Sequence, residues 1–331
     1  MHFKFNKVYI NNTSTIAGIM EKQGPLSKYY DKKYDDYYMQ TKTFEEAEMK
    51  LEEESIDKVL EKENLSINDI DLFIGGDLSN QISTTNYTAS KLQTPYLGIY
   101  SACATSIEGI LLGSVFIERD NIRTLITTVS HNNTSEKTFR YPTEYGGPKR
   151  KTTTFTVTGG ASIILSREKS KIKVTKGTIG KSIDSTIKDV YNMGGVMAIA
   201  AANTIYSHLT HFNLKPEDYD LILTGDLGKV GKDILKEYMK QEYKINLTNL
   251  DDSACMIYDI KKQSVYSGGS GPACLPLVSY SYILEKMKNK EYKKVLLVAT
   301  GALMNPTMVN LKKTIPSIAH AISLEVEDDI S

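Results

Sequence analysis

Short buried-strand patterns alternate along this chain with longer helical patterns, and one such stretch occurs twice. The segment Asn64–Leu78 reads NLSINDIDLFIGGDL and the segment Asn213–Leu227 reads NLKPEDYDLILTGDL, with eight of fifteen positions identical. In each copy a polar, acidic turn leads into a short apolar run, DLFI or DLIL, which is typical of a buried strand. A glycine-bearing loop follows the run in both copies. The repeat predicts two copies of one structural unit.

The residues around each copy predict the same order of elements. Before the first copy, residues 45–61 place apolar side chains at helical spacing under an acidic face, and before the second, residues 194–209 form an Ala-rich helical pattern. After the copies, YSACATSIEGILLGSVFI and YSGGSGPACLPLVSYSYIL each predict a turn that opens into an apolar helix. The runs TLITTVS (124–130) and KVLLVAT (294–300) then predict a further strand in each half.

Alternating buried strands and helices predict an α/β fold made of two duplicated halves, residues 1–169 and 170–331. Each half is expected to form a largely parallel sheet with helices packed on it. In such folds, sites lie at the carboxyl ends of strands and at helix starts. The loops after DLFI and DLIL and the turns before the two central helices are therefore predicted to line one shared pocket.

Charge and composition exclude several classes of function. The 40 acidic side chains balance the 40 basic ones, so the whole chain has no field that would hold nucleic acid. The N-terminus lacks a signal-peptide pattern, and the longest apolar stretch, VMAIAAA, is far shorter than a membrane span, so a soluble chain is expected. The spacing of Cys103, Cys255 and Cys274 matches neither a disulfide framework nor a zinc site.

Cys103 is the first candidate for chemistry, because it directly precedes the predicted helix that begins at Thr105. A helix N-terminus lowers the pKa of a thiol, which is the setting of a nucleophile. The alternative is a small side chain that fills a crowded helix start. Cys255 and Cys274 are interpreted as packing residues.

Further candidates lie in loops at predicted strand ends. His131 follows the strand at 124–130; it is interpreted either as a donor or cation near a carboxylate ligand or as a loop histidine tied to a backbone carbonyl. Arg140 offers a guanidinium that can pair bidentately with a carboxylate, whereas the Lys149–Lys151 cluster is interpreted as solvated surface. Gly159, in TVTGG, allows close approach of the backbone either to a ligand or to another strand.

The second half contributes a different set of candidates. Asp226 lies in the loop after DLIL, and the glycine turn that contains Gly269 and Ser270 precedes the second central helix. Free amides at such a helix start form a general anion site. No metal site or cofactor is predicted. The pair His208 and His211 lacks an accompanying carboxylate or third ligand.

Taken with Cys103 at the start of a central helix, the duplicated halves resemble the thiolase fold of thiolases and ketoacyl synthases. The more specific resemblance is to the stage V sporulation protein AD family of spore-forming bacteria, through YSACATSIEG, FRYPTEYGG followed by TVTGG, LTGDLGKVGKDI and SGGSGPACLP. The resemblance implies a layered α-β-α-β-α arrangement. Condensing enzymes of this fold carry a histidine in the loop after the second half's first strand, and the resemblance implies that Gly225-Asp226-Leu227 replaces it here. They also carry an asparagine or histidine at the second half's central turn, which the resemblance implies is replaced by the Ser267–Gly271 turn.

This resemblance implies a function in binding instead of catalysis. Its ligand would be dipicolinic acid (pyridine-2,6-dicarboxylate), taken up into the developing spore with other stage V sporulation membrane proteins. The expected location is the forespore or spore, peripheral to the inner membrane, as a homodimer. Two alternatives stay open: a cysteine-dependent acyltransferase or condensing enzyme that uses Cys103, and a structural platform that binds no ligand.

Overall fold

The computed structural model describes residues 1–140 and 148–327. The first half contains β1 (His2–Ala17), α1 (Phe44–Glu63), β2 (Leu72–Gly76), α2 (Ser83–Leu92), β3 (Tyr96–Gly98), α3 (Thr105–Arg119), β4 (Thr124–Ser130) and β5 (Gly159–Ser166). The second half repeats this order with β6 (Ile172–Ile179), α4 (Met193–Phe212), β7 (Leu221–Thr224), α5 (Gly228–Tyr243), β8 (Leu250–Asp252), α6, β9 (Lys294–Ala302) and β10 (Pro316–Val326). Helix α6 runs through Cys274–Val278, a π-helical turn at Ser279–Ile283, and Leu284–Lys288.

Shorter elements lie in the connections. They are the helices Ile19–Lys22, Asn132–Lys137, Ser253–Met256 and Pro306–Asn310, the 3₁₀ turns Ser27–Tyr29, Ile67–Asp69, Asn80–Ile82, Ala102–Ala104 and Pro216–Asp218, and the two-residue strands Lys32–Lys33, Phe155–Thr156, Ile183–Asp184 and Gly269–Ser270.

The labelled strands of both halves belong to one sheet, in the order β3-β2-β4-β5-β1-β6-β10-β9-β7-β8. Strands β2, β3 and β4 are parallel, as are β7, β8 and β9, whereas the pairings of β5, β1, β6 and β10 are antiparallel. The prediction of a largely parallel sheet is therefore wrong. A parallel return needs a crossover helix, but β4 and β9 lead to their antiparallel neighbours through the short helices Asn132–Lys137 and Pro306–Asn310.

The helices occupy three layers around the two halves of the sheet. Helices α1 and α2 pack on the outer side of the first half, and α4 and α5 on the outer side of the second. Helix α3 lies between the halves, where it contacts β2 and β4 as well as β9 and β10. Helix α6 lies there too, against β1, β5 and β6. The layered α-β-α-β-α fold is thus confirmed.

Two adjacent glycines let helices from opposite layers approach β5. A Cβ at Gly159 would lie 2.6 Å from Leu277 Cδ1 of α6, and one at Gly160 would lie 2.4 Å from the Leu51 carbonyl oxygen of α1. Gly159 therefore makes room for helix packing. A Cβ there would also lie 2.8 Å from the Ile16 carbonyl oxygen of β1, which is the close approach to another strand that the sequence allowed; a role with a ligand stays a prediction.

Helix α1 begins with a capping box, in which the Thr43 hydroxyl accepts from the Glu46 N–H and the Glu46 carboxylate accepts from the Thr43 N–H. Its apolar stripe is buried, as the spacing predicts, but the acidic face is only partly exposed. Glu48 and Glu52 are fully buried, close to Asp77 at the end of β2. Burial raises the pKa of Glu52 to about 8, with a further contribution from the charge of Asp77.

Among the described residues, no helix combines the length and the apolar character that crossing a bilayer requires.

Candidate functional site

The starts of the two central helices meet strand ends that belong to the opposite half. A Cβ at Gly301, near the end of β9, would lie 2.2 Å from the Ser101 carbonyl oxygen, so β9 packs directly on the turn before α3. In the other direction, the Thr128 hydroxyl of β4 donates to the Pro272 carbonyl oxygen, 3.0 Å away, in the turn before α6. The halves therefore converge on the two turns that the sequence predicts as a shared site.

Cys103 lies in the first of these turns, Ala102–Ala104, where Ala102 has a left-handed backbone with φ of 49°. Cys103 is buried, with 3% of its surface exposed. Burial raises the pKa of Cys103 far above its ordinary value, and the nearby Asp226 adds to the rise, while Arg140 and the Gly271 N–H oppose it. The predicted lowering of the pKa by the helix N-terminus is therefore wrong, because desolvation outweighs it. At neutral pH the side chain is a protonated thiol.

Arg140 and Ser270 lie together in a buried hydrogen-bonded cluster. The guanidinium donates from Nε to Thr156 Oγ1 (2.8 Å) and from Nη2 to Ser270 Oγ (2.7 Å). The Thr154 hydroxyl donates to Ser270 Oγ at 3.0 Å. Parallel pairing of Phe155–Thr156 with Gly269–Ser270 fixes these positions. The buried guanidinium of Arg140, which is only 1% exposed, thus includes hydroxyl groups of this cluster among its partners.

The duplicated aspartates Asp77 and Asp226 occupy equivalent loops but have different surroundings. Asp77 accepts hydrogen bonds from the Ser79 N–H (2.6 Å), the Thr85 N–H (2.9 Å) and both hydroxyls of these residues, and so fixes the start of α2. For Asp226, neither buried oxygen has a hydrogen-bond partner among the described residues. At the start of α5, Asp252 instead accepts the hydrogen bond from the backbone, which the Gly228 N–H donates at 2.9 Å.

Asp226 is consequently a buried carboxyl that the described fold does not use. Burial raises its pKa well above the ordinary value, with a further contribution from Asp252. Three neighbours partly oppose this rise in the pKa: the Gly271 N–H, the Cys274 thiol and Arg140. The thiol, however, donates its hydrogen bond to the Gly225 carbonyl oxygen at 3.5 Å. No hydrogen bond of normal geometry reaches Asp226 from the described residues. Burial thus favours the protonated form of Asp226, whose O–H can donate to an anion.

His131 has the second of its two predicted arrangements, a histidine tied to a backbone carbonyl. Its Nε2 lies 2.8 Å from the Tyr37 carbonyl oxygen, its Nδ1 accepts from the Asn133 N–H at 3.2 Å, and its ring stacks on Phe44. Burial lowers the pKa of His131 to about 4, so the ring is neutral. The expectation that His131 supplies a cation to a ligand is corrected, because both ring nitrogens bond within the protein.

Gly269 also serves packing, since a Cβ there would lie 2.9 Å from Ile257 Cγ2. Residues 141–147, which belong to the predicted loop and to the FRYPTEYGG motif, lie outside the described residues.

A cavity of about 400 Å³ opens beside this buried cluster. Its described lining comes from the loop after β2, from Tyr100 and Phe139, and from the turn after β9: Leu78, Ser79, Asn80, Gln81, Ile82, Tyr100, Phe139, Leu303, Met304, Asn305 and Pro306. Phe139 directly precedes Arg140, and Tyr100 lies three residues before Cys103. Of the predicted linings, the loop after β2 is present, whereas Asp226 and its loop do not belong to the described lining. The turn after β9 was not predicted.

Backbone strain marks the part of the cavity wall that follows β2. Gln81 and Ile82 both have a left-handed backbone, with φ of 55° and 49°. This conformation is uncommon for a β-branched residue, and such strain concentrates at functional sites. No sequence signal for it exists, since neither residue is one that prefers this conformation.

Comparison with known proteins agrees with this architecture. The family model described as stage V sporulation protein AD matches residues 1–325. The chain is 44% identical over 320 residues to stage V sporulation protein AD of Bacillus subtilis (strain 168), which covers 96% of this chain and 94% of the relative. Similar solved structures include a single-residue variant of OleA of Xanthomonas campestris (TM-score 0.63, 14% identity, 98% of each chain) and 3-oxoacyl-[acyl-carrier-protein] synthase III of Aquifex aeolicus VF5 (TM-score 0.54, 14% identity, 97% of this chain and 98% of the other). The two structures show a shared fold, and the sequence matches show that this chain belongs to the stage V sporulation protein AD family.

Proposed function

We propose that this chain is a non-catalytic binding protein whose ligand is dipicolinic acid, as the family resemblance implies. The observation that carries the proposal is the buried cluster where the halves meet. There a fully buried guanidinium, Arg140, lies near Asp226, a buried carboxyl with no hydrogen-bond partner among the described residues. A buried polar group without a partner destabilises a fold, so its presence favours a role with a ligand.

The chemistry of the cluster suits a rigid aromatic dianion. Arg140 supplies positive charge in a planar fork that matches a carboxylate. Burial favours the protonated form of Asp226, which would donate a hydrogen bond where an ionised carboxylate would repel the ligand. The Gly271 N–H, at the turn before α6, faces the same region and adds a backbone donor.

The neighbouring cavity has a size that suits a small ligand, since binding pockets commonly measure roughly 300–1,000 Å³. Its apolar side chains, such as Tyr100, Phe139 and Leu303, would contact the pyridine ring. Ser79, Asn80 and Asn305 add polar groups to its lining. We propose that the ligand enters through this cavity and that one carboxylate reaches the Arg140 cluster.

Two features argue against catalysis. Cys103 is a buried thiol whose pKa is raised, whereas a nucleophile requires the thiolate. The loop Gly225–Lys229, where condensing enzymes of this fold carry a histidine, contains none of the five histidines of this chain. That loop therefore offers no histidine to take the proton of Cys103.

Calorimetry with dipicolinic acid at neutral pH tests the proposal. We expect a saturable heat for the wild-type chain, and affinity reduced roughly tenfold or more by Arg140→Lys, because the lysine cannot replace a bidentate fork. Arg150→Lys is the matched control, since Arg150 is an exposed arginine ten residues further on, and it should bind like the wild type. Absence of heat at millimolar ligand from a folded wild-type chain contradicts the proposal.

Acyl transfer through Cys103 is the second candidate, favoured by the left-handed Ala102 that presents this cysteine in a strained turn. Incubation with acyl-coenzyme A and measurement of the intact mass distinguishes it. A stable adduct that Cys103→Ser removes would support the enzyme, and an unmodified mass supports binding alone. Absence of both the adduct and the dipicolinate heat would favour the structural platform.

We also propose that the chain acts in the forespore, peripheral to the inner membrane, as a homodimer that cooperates with other stage V sporulation membrane proteins. Family membership supports the link to sporulation. Light scattering on the purified chain tests the dimer, because a monomeric mass at micromolar concentration would contradict it.

A further inference from the structure

The turn between β9 and β10 exposes apolar side chains next to lysines. Met308 is 50% exposed and Leu311 is 61% exposed. Lys312 and Lys313 follow directly and are also exposed. Residues 303–316 contain no acidic side chain. Large apolar groups beside exposed cations are the composition of a surface that meets an apolar phase with an anionic border.

Two other segments extend this positive surface. The Ile315 N–H donates to the Ile187 carbonyl oxygen (3.0 Å), which joins the turn to residues 181–191. Arg150 Nη1 lies 3.3 Å from Asp189, which joins residues 148–152 to the same segment. We call these three segments, residues 148–152, 181–191 and 303–316, the basic face. Its exposed cations are Arg150, Lys151, Lys181, Lys188, Lys312 and Lys313.

The basic face contains two acidic side chains, Asp184 and Asp189, against its six exposed cations. Asp184 accepts from the Thr314 hydroxyl at 2.7 Å, and Asp189 pairs with Arg150. Lys149, the remaining cation, bonds Glu136. An excess of positive charge therefore collects here on a chain whose formal net charge is zero. This asymmetry gives one end of the molecule a local attraction for anions.

We propose that the basic face lies directly on an anionic lipid bilayer, with Met308 and Leu311 inserted at the boundary between headgroups and acyl chains. The lysines would lie among the anionic headgroups, where each strengthens attachment about fivefold. A protein partner is less well matched, because two isolated apolar side chains offer far less than the roughly 800 Å² per partner that a stable interface buries. A bilayer accepts single side chains without a complementary pocket.

This contact is separate from ligand binding, although the two regions are neighbours. Leu303, Met304 and Asn305 line the cavity and also begin the turn of the basic face. Lipid contact would therefore bring the mouth of the cavity close to the membrane surface. Because the test below contains no ligand, its failure would leave the dipicolinate proposal standing, and the reverse also holds.

The absence of tryptophan from the chain permits a single-site reporter. Leu311→Trp places the only tryptophan on the exposed turn. Tyr206→Trp is the matched control: Tyr206 is 38% exposed on α4, two residues before His208, whose Nε2 lies 3.1 Å from Ser323 near the far end of β10. Vesicles of phosphatidylglycerol and phosphatidylcholine in equal parts should shift the Leu311→Trp emission to shorter wavelength and leave Tyr206→Trp unchanged. No shift, equal shifts in both variants, or the same shift with phosphatidylcholine alone would overturn the proposal.

Sedimentation of the otherwise unaltered chain with the same vesicles tests the charges. The double variant Lys312→Ala, Lys313→Ala should bind about 25-fold more weakly, from two losses of about fivefold each. The control double variant Lys236→Ala, Lys240→Ala removes two exposed lysines of α5 and should bind like the wild type. Equal losses in the two double variants, or none in the first, would overturn the proposal, since attachment would then not depend on the basic face.

Discussion

The duplicated aspartates provide a direct test of how the two halves differ. We predict that Asp77→Ala strongly destabilises the chain and that Asp226→Ala does not. Asp77 accepts bonds from two backbone N–H groups and two hydroxyls of Ser79 and Thr85. Asp226 accepts none from the described residues. Equivalent positions in a repeat would lose similar stability if both aspartates were only structural.

The structure gives the approximate size of each effect. Hydrogen bonds to a charged acceptor contribute about 1.5–3 kcal/mol each and are not additive, so Asp77→Ala should lower the free energy of unfolding by roughly 3–5 kcal/mol. Removing the unpartnered carboxyl of Asp226 relieves a desolvation penalty of about 1–3 kcal/mol. The small cavity that remains offsets part of this gain. Asp226→Ala should therefore lie within about 1 kcal/mol of the wild type, or above it.

Urea unfolding followed by far-ultraviolet circular dichroism, supported by thermal melting, measures the difference. The measurement is best made near pH 6, because burial raises the pKa of Glu52, which lies beside Asp77, to about 8 and so keeps that side chain protonated there. Relief of charge repulsion then does not mask the loss of hydrogen bonds. Equal destabilisation of the two variants, or a larger loss for Asp226→Ala, would refute the assignment of Asp226 as a carboxyl held for a ligand.

Three further predictions follow from buried groups and close contacts. Burial raises the pKa of folded Glu52 from 4.5 to about 8, so the free energy of unfolding of the wild type is highest below pH 4.5 and falls as the pH rises to about 8. The fall should be on the order of 2–5 kcal/mol. Glu52→Gln should remove this pH-dependent loss. Parallel urea-midpoint curves against pH for variant and wild type would contradict this. In native protein a thiol reagent should modify the half-buried Cys255 before the buried Cys103, and peptide mass mapping measures the order. Early labelling of Cys103 would indicate a thiolate and contradict this prediction. Gly301→Ala should lower the melting temperature by several degrees, because its Cβ would lie 2.2 Å from the Ser101 carbonyl oxygen, and an unchanged melt would refute that contact.

Local pattern was sufficient for most elements of the fold. The predicted strand at 124–130 coincides with β4, and the predicted helices at 45–61 and 194–209 lie within α1 and α4. The layered arrangement, in contrast, was implied by the family resemblance and not by the local pattern. Strand direction did not follow. The direction of a strand depends on whether its connection crosses the sheet, and the hydrophobic pattern of the sequence does not indicate this.

The candidate site was predictable in its location but not in its chemistry. Sequence placed Cys103, Arg140, Asp226 and Ser270 near one junction, where the structure has them. It assigned His131 a possible role with a ligand, yet tertiary contacts with the Tyr37 carbonyl occupy its ring. A titrating group responds to its burial and to its partners, which a linear pattern does not contain.

The sequence by itself predicted two matched halves with a candidate site between them, since the repeat and the strand-to-helix turns are local features. Only the tertiary structure decided that the halves are chemically unequal. Asp77 and Asp226 hold the same position in the same motif, but α2 uses the hydrogen-bonding capacity of Asp77 whereas Asp252 takes over that task at α5. Asp226 is thereby left buried and without a described partner. Hydrogen-bond satisfaction is a property of three-dimensional neighbours, so identical residues in a repeated motif can acquire different chemistry.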